Sequence, residues 1–288
     1  MPWPYDSEMS KLPISNALGH CLRTFIVTAL SGLLLISTVD RAANANNLSM
    51  PQSQMILLEG GMTDGKGLAG IDIRMEPHVK TYWRMPGDSG LPPIFDWSGS
   101  DNLAEAKVLW PLPQRIADPA GSILGYDTEI IFPVRVTASD QTKPVHLVLK
   151  LDYAVCGSLC VPVTGHAEVV LAAKPYQGPD FARINDMIAD VPASMPFGAQ
   201  LVSVMPDPAN ADALLIETKQ PLIDLFVEGP DGWYIGDGKA ISPTVWRVMI
   251  LQKPTKAAIA NLNLTLTLVS LASATETSVT LDASGSIR

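Results

Sequence analysis

Residues 145–156, VHLVLKLDYAVC, alternate apolar and polar side chains over most of their length. The apolar side chains fall on every second position: Val145, Leu147, Leu149, Leu151, Tyr153 and Val155. Successive side chains of a β-strand point to opposite faces of its sheet, so this pattern predicts a long strand with one buried face. The strand runs directly into Cys156, the first member of a closely spaced cysteine pair.

The same period of two recurs on both sides of this strand, in residues 71–75, 130–136 and 163–171. The segments between are rich in Pro, Gly, Asp and Ser, and we interpret two of them as loops: residues 85–93 and 116–125. Short strands separated by turn signals predict an all-β sandwich. Pro133 lies inside one strand, and because proline cannot donate to a ladder, we expect an edge strand or a bulge there.

A short helix interrupts the β pattern. Pro179 suits the first helical position, and apolar residues then recur at helical spacing: Phe181, Ile184 and Ile188. We therefore expect a linker with a short helix at residues 176–195. Alternation resumes beyond it and predicts a second, smaller all-β domain over residues 196–288, after a first domain over residues 46–175.

The first 45 residues have the features of a secretory signal peptide. Arg23 precedes a mostly apolar run at residues 25–39, and Ala43-Asn44-Ala45 matches a small-x-small cleavage site. The run is shorter than the roughly 20 residues that a spanning helix needs. We expect a cleaved, exported protein in a bacterial periplasm, with an uncleaved N-terminal anchor as the alternative.

The charge of the chain excludes some partners. It has 20 Lys and Arg against 29 Asp and Glu, a net charge of -9, with no Lys- or Arg-rich block. Such a chain is poorly suited to nucleic acid or anionic lipid. We expect no nucleic-acid partner and no stable membrane span after processing.

Cys156 and Cys160 stand four positions apart. In a straight strand their Cα atoms would be about 13 Å apart, whereas a disulfide needs roughly 7 Å or less. The chain must therefore fold back between them, and Gly157 and Ser158 predict a three-residue hairpin loop. Cys21 lies in the predicted signal peptide, so the mature chain would hold one thiol pair in an oxidising compartment.

Two interpretations of this pair stay open. A disulfide that closes so short a loop contributes only about 2 kcal/mol, and an accessible pair at a turn suits thiol-disulfide exchange, with Cys156 and Cys160 as the redox-active residues. The alternative is a non-catalytic sandwich with a structural disulfide that binds a partner protein or copper. No cofactor is expected, and a zinc site would need two further ligands, for which His166 alone is a weak candidate.

Residues 55–172 resemble the N-terminal periplasmic domain of the thiol:disulfide interchange protein DsbD, in the version found in the suppressor-of-copper-sensitivity protein ScsB. The matching segments are VKTYWR at residues 79–84, PPIFDW at 92–97, Gly125-Tyr126 followed by FPV at 132–134, and LDYAVCGSLCVP at 151–162. Their order and the cysteine-proline ending carry the resemblance.

The resemblance implies an immunoglobulin-like sandwich whose cysteine pair passes electrons from a membrane donor to periplasmic thiol oxidoreductases. It also implies a capping loop, whose counterpart is residues 118–126. Ile123, Leu124 and Tyr126 are the candidate caps, and Tyr153 is a further candidate for the partner surface. The membrane and thioredoxin-like domains of full-length members have no counterpart in these 288 residues. We therefore expect the membrane electron donor and a thioredoxin-like partner to act in trans.

Other candidate sites are weaker. Copper tolerance fits the resemblance, and Cu(I) favours Met and Cys ligands, but the methionines beyond residue 45 do not cluster at short spacing. The aromatic pairs Tyr82-Trp83 and Trp233-Tyr234 are possible binding platforms, although aromatic residues of sandwiches usually belong to the core.

Overall fold

The computed structural model describes residues 52–87, 90–118 and 121–287. The predicted signal peptide, with Cys21, lies outside the described residues. The first half contains the strands β1 (Ser53–Thr63), β2 (Lys66–Met75), β3 (Lys80–Gly87), β4 (Ile94–Asp96), β5 (Leu103–Val108), β6 (Gln114–Asp118), β7 (Gly121–Asp127), β8 (Glu129–Ala138), β9 (Val145–Cys156), β10 (Cys160–Leu171) and β11 (Tyr176–Gln177).

These strands form an immunoglobulin-like β-sandwich. One sheet has the order β11-β1-β2-β8-β5, and the other has the order β10-β9-β3-β7-β6, with β4 also paired to β9. The sheets enclose an apolar core whose largest fully buried members include Ile71, Trp83, Phe132, Leu147 and Leu149. The all-β fold class predicted from the alternating pattern is confirmed.

The strand predicted at residues 145–156 is β9, and its alternation matches its burial. Leu147, Leu149 and Leu151 are fully buried, whereas Lys150 between them is exposed. Apolar residues on every second position are what a strand needs when one face packs on a core. This strand carries the first cysteine to the end of the sheet.

The prediction of an edge strand or bulge at Pro133 is wrong. Its strand, β8, lies between β2 and β5, and Pro133 pairs with Gly70 without a break in register. The carbonyl of Pro133 accepts a hydrogen bond from the N–H of Leu109, one residue beyond the end of β5. The nitrogen and carbonyl of a strand residue point to the same side, so the missing N–H faces the place where the β5 ladder ends.

Residues 116–118 and 121–125 belong to a segment predicted to be a loop, but they lie in the paired strands β6 and β7 instead. Asp118 pairs with Gly121 at the tip of this β6–β7 hairpin, and Gly121 has a φ of 138°. Glycine adopts this conformation without steric cost, so Gly121 can occupy this place in the ladder.

The predicted helix is α1 (Phe181–Ile188), which begins after Asp180, so Pro179 lies just outside it. Ile184 is fully buried against Leu58 and Ile131 of the first sandwich. No helix among the described residues has the length and apolar character needed to cross a membrane.

The second half is a further β-sandwich. Its strands are β12 (Ala193–Ser194), β13 (Leu201–Asp207), β14 (Asn210–Thr218), β15 (Asp224–Glu228), β16 (Tyr234–Ile235), β17 (Lys239–Ser242), β18 (Val245–Gln252), β19 (Asn263–Val269) and β20 (Ala274–Thr280). The sheets have the orders β12-β20-β19-β15 and β13-β14-β18-β16, with β17 on β18. Between them lies a separate core that includes Leu214, Ile216, Trp246, Val248 and Leu266.

Candidate redox site

A disulfide joins Cys156 and Cys160 at the tip of the β9–β10 hairpin. The two residues are direct partners in the antiparallel register, and their Cα atoms are 4.0 Å apart. Residues 157–159 make the connection, and the N–H of Gly157 donates to the carbonyl of Leu159. The predicted hairpin, with the cysteines facing each other across its mouth, is confirmed.

The disulfide lies on the outer face of its sheet. Tyr153 and Val155 of β9 point into the main core, whereas Ala154 and Cys156 belong to a small separate cluster. Because side chains alternate along a strand, these two sets occupy opposite faces. The pair is therefore separated from the core of the sandwich by the sheet itself.

The two cysteines differ sharply in exposure. Cys156 is 1% exposed, whereas Cys160 is an exposed residue and follows Leu159, whose exposed fraction is 68%. A thiolate can exchange only with a sulfur that it can reach. Cys160 is therefore the more accessible cysteine and Cys156 the protected one.

Tyr82 is the polar side chain that contacts both sulfurs. Its hydroxyl oxygen lies 2.7 Å from Sγ of Cys156 and 3.4 Å from Sγ of Cys160. The backbone at Gly90 lies close to this ring, since a Cβ added at Gly90 would lie only 2.5 Å from the ring carbon Cε1 of Tyr82. Gly90 thus lets the backbone approach the ring closely.

The candidate caps on β7 fall on two faces. Ile123 packs in the same small cluster as Tyr82, Ala154 and Cys156. Leu124 and Tyr126 point into the main core. The hydroxyl of Tyr126 donates to the carbonyl of Pro111 at 2.7 Å.

Tyr153, the other candidate for the partner surface, is also a core residue. Its hydroxyl is 2.8 Å from the Oγ of Ser53, and burial raises the pKa of this phenol. Burial raises the pKa of Tyr126 further still. Both hydroxyls therefore stay protonated at neutral pH and act as structural hydrogen-bonding groups.

Sequence reasoning missed the contact between Tyr82 and the cysteines. Alternation in VKTYWR was the available signal, since Trp83 is 1% exposed in the main core and its neighbour must then point outward. The spacing could not show that β3 lies beside β9, where Lys80 pairs with Cys156.

The metal candidates do not meet at this site. In the described part of the chain, no three His, Cys, Asp or Glu side chains come together as a possible metal site. His166 is exposed and is the strand-register partner of Lys150 of β9, well along the hairpin from the cysteines. Nε2 of His146 lies 3.0 Å from Oε2 of Glu168.

Comparison with known proteins agrees with this geometry. The family model for the N-terminal domain of the thiol:disulfide interchange protein DsbD matches residues 42–172. The crystal structure of the N-terminal periplasmic domain of ScsB from Proteus mirabilis is similar in fold, with a TM-score of 0.60 and 18% identity, covering 80% of this chain and 92% of that one. A search of curated proteins found no match. The matched residues 42–172 include Tyr82 and the cysteine hairpin, so this part of the chain is similar to the N-terminal domain of DsbD.

Proposed function

We propose that this protein is an exported thiol:disulfide exchange protein in which Cys156 and Cys160 alternate between disulfide and dithiol. The observation that carries the proposal is the asymmetric pair at the hairpin tip, with one sulfur exposed and the other held against the hydroxyl of Tyr82. The match of residues 42–172 to the family model of the DsbD N-terminal domain supports it.

The exposure of the two sulfurs suggests the order of the steps. A partner thiolate attacks Sγ of Cys160, the bond to Cys156 breaks, and its electron pair leaves on Sγ of Cys156, which then takes up a proton. The partner's second thiolate attacks the mixed disulfide and releases the thiolate of Cys160. One disulfide and one dithiol have then changed places. The reverse sequence would reduce a partner disulfide, with Cys160 as the attacking thiolate.

We propose two partners supplied in trans. One is a thioredoxin-like oxidoreductase of the periplasm, and the other is a membrane protein that donates electrons. The family match and the predicted signal peptide support this arrangement. The exposed side chain of Leu159 beside Cys160 offers an apolar contact of the kind that a docking protein can cover.

Single-cysteine variants test the order of attack. Cys156→Ser leaves the exposed Cys160 and should form a mixed disulfide rapidly with an aromatic disulfide reagent or with a periplasmic thioredoxin-like protein. Cys160→Ser leaves the buried Cys156 and should react at least about tenfold more slowly, because a covered thiol is poorly accessible. Equal rates, or faster reaction of Cys160→Ser, would overturn the assignment.

The reduction potential tests the exchange function itself. Structural disulfides of secreted proteins have potentials below about -300 mV, whereas labile ones lie higher. We expect a value above this limit in a glutathione or dithiothreitol titration. A lower value would favour the fixed-disulfide alternative, in which the sandwich is a binding module.

A further inference from the structure

Arg115 joins the β6–β7 hairpin to the second sandwich. Its guanidinium donates to both carboxylate oxygens of Asp224, at 2.7 and 3.0 Å, and to the carbonyl of Leu225 at 3.2 Å. It also pairs with Asp237 and lies 4.8 Å from the ring centroid of Phe226. Two carboxylates and an aromatic ring thus fix both the position and the orientation of the planar guanidinium of Arg115.

The same hairpin also packs beside the protected cysteine, Cys156. Arg115 pairs with Leu124, and the next pair along the hairpin is Ile116 with Ile123. Ile123 is 1% exposed in the cluster that contains Cys156, and Ile116 packs against that cluster. Arg115, which is tied to the second sandwich, is therefore the immediate neighbour of Ile116, which packs against the cluster that contains Cys156.

The hairpin needs an external anchor because it forms the edge of its sheet. The edge strand, β6, has β7 as its partner in the sheet. Edge strands keep one row of backbone groups outside the ladder and separate more readily than central strands. The bonds of Arg115 to β15 and to Asp237 supply an attachment outside the ladder.

We infer that the second sandwich is a brace that holds the β6–β7 hairpin closed over Cys156, with Arg115 as the positioning residue. This inference rests on the proposed exchange function and assigns a role in it to the C-terminal half of the chain. The brace controls how readily the disulfide opens without touching either sulfur.

The chemical effect concerns the leaving sulfur. When Cys160 is attacked, Cys156 must leave as a thiolate that has the hydroxyl of Tyr82 as its polar neighbour and is otherwise packed with the apolar side chains of Ile116, Ile123 and Ala154. Apolar surroundings disfavour a thiolate, and a thiol of higher pKa leaves more slowly. A closed hairpin thus slows cleavage of the disulfide, and a loosened hairpin exposes Cys156 to water and speeds it.

A second arginine at the same interface provides a matched control. Arg84 of β3 pairs with Glu228 and Glu276 of the second sandwich, and it lies 4.5 Å from the ring centroid of Trp83. Arg84 is not part of the β6–β7 hairpin. Neutralising its two carboxylate partners removes the same number of charges from the interface as neutralising the partners of Arg115. It leaves the contacts of Arg115 with the second sandwich intact.

The test compares the double variants Asp224→Asn/Asp237→Asn and Glu228→Gln/Glu276→Gln in the full mature chain. Each is reduced by excess dithiothreitol, and the free thiols are counted over time. We expect Asp224→Asn/Asp237→Asn to raise the reduction rate about tenfold, which corresponds to about 1.4 kcal/mol in the equilibrium for opening of the hairpin. The Glu228→Gln/Glu276→Gln variant should change the rate less than about twofold. No acceleration in the first pair, or equal acceleration in both, would overturn the brace.

Hydrogen exchange supplies a second readout. Amides of residues 114–127 should exchange faster in the Asp224→Asn/Asp237→Asn variant, while those of β9 keep their protection and circular dichroism shows a folded protein. Unchanged exchange in the hairpin would also overturn the inference. Because dithiothreitol and hydrogen exchange need no protein partner, failure of the exchange function would appear separately, in the partner assays with the single-cysteine variants.

Discussion

The hydroxyl oxygen of Tyr82 lies within hydrogen-bonding distance of Sγ of Cys156, 2.7 Å away, although 74 positions separate the two residues in the chain. The pairing of β3 with β9 brings them together, and the backbone at Gly90 lies close to the ring of Tyr82. In the dithiol state a phenol in this position can donate to the thiolate of Cys156. The contact therefore links the fold to the chemistry of the protected sulfur.

Replacing Tyr82 by Phe should raise the pKa of the Cys156 thiol. A hydrogen bond to a charged group contributes about 1.5–3 kcal/mol, and about 1.4 kcal/mol corresponds to one pKa unit, so we expect a rise of about one unit or more. The measurement is the pH dependence of thiolate absorbance in the Cys160→Ser background, in a protein that begins at residue 46, where Cys156 is the remaining thiol.

The control for this experiment is Tyr153→Phe, which also removes a buried hydroxyl from the same sandwich. Its partner is Ser53 on the core side, away from the sulfurs. It should lower stability but leave the thiol pKa unchanged. If Tyr82→Phe also leaves that pKa unchanged, the phenol has no part in stabilising the thiolate.

Reduction of the disulfide should leave the protein folded. The bond closes a loop of only a few residues, so the chain-entropy estimate for its contribution is about 2 kcal/mol. Two cores of fully buried apolar side chains remain in the reduced chain. We expect the Cys156→Ser/Cys160→Ser variant to unfold cooperatively in urea, with a free energy of unfolding lower by about this amount. Loss of cooperative unfolding would instead identify the disulfide as a structural requirement.

Stability should fall at high pH through Tyr176. Desolvation and the hydrogen bond to Glu59 raise the pKa of this phenol to about 12, above its ordinary value of 10.0. The folded state then keeps a proton that the unfolded state loses, so the contribution is complete below about pH 10 and is lost as pH rises towards 12. The free energy of unfolding, measured with urea from pH 9 to 12, should fall less steeply with pH for Tyr176→Phe than for the wild-type protein. Parallel curves for the two proteins would contradict this linkage.

The sequence was informative for the β9–β10 hairpin, whose structure depends on near neighbours. The alternation of residues 145–156 and the turn residues Gly157 and Ser158 were enough to predict β9, its hairpin and the facing cysteines. Pro133 misled because its consequence depends on where the neighbouring strand ends. That endpoint belongs to β5, about 25 positions upstream, and no local pattern marks it.

The surroundings of the disulfide depend on contacts between distant segments. Tyr82 meets Cys156 through the order of strands in the sheet, and Arg115 meets Asp224 across two sandwiches. No sequence pattern marks an arginine and an aspartate that are far apart in the chain as partners, because each is indistinguishable from an ordinary surface charge. The sequence therefore predicted the cysteine pair better than the side chains that control it.

The twelve-residue ladder between β9 and β10 has a kinetic consequence. It keeps the two sulfurs at the same end of a firm hairpin after their bond is broken, so each retains a very high effective molarity towards the other. Once one sulfur is linked to another protein, the second thiol is already close enough to attack the mixed disulfide. Any such covalent complex should therefore be short-lived unless the second thiol has been removed.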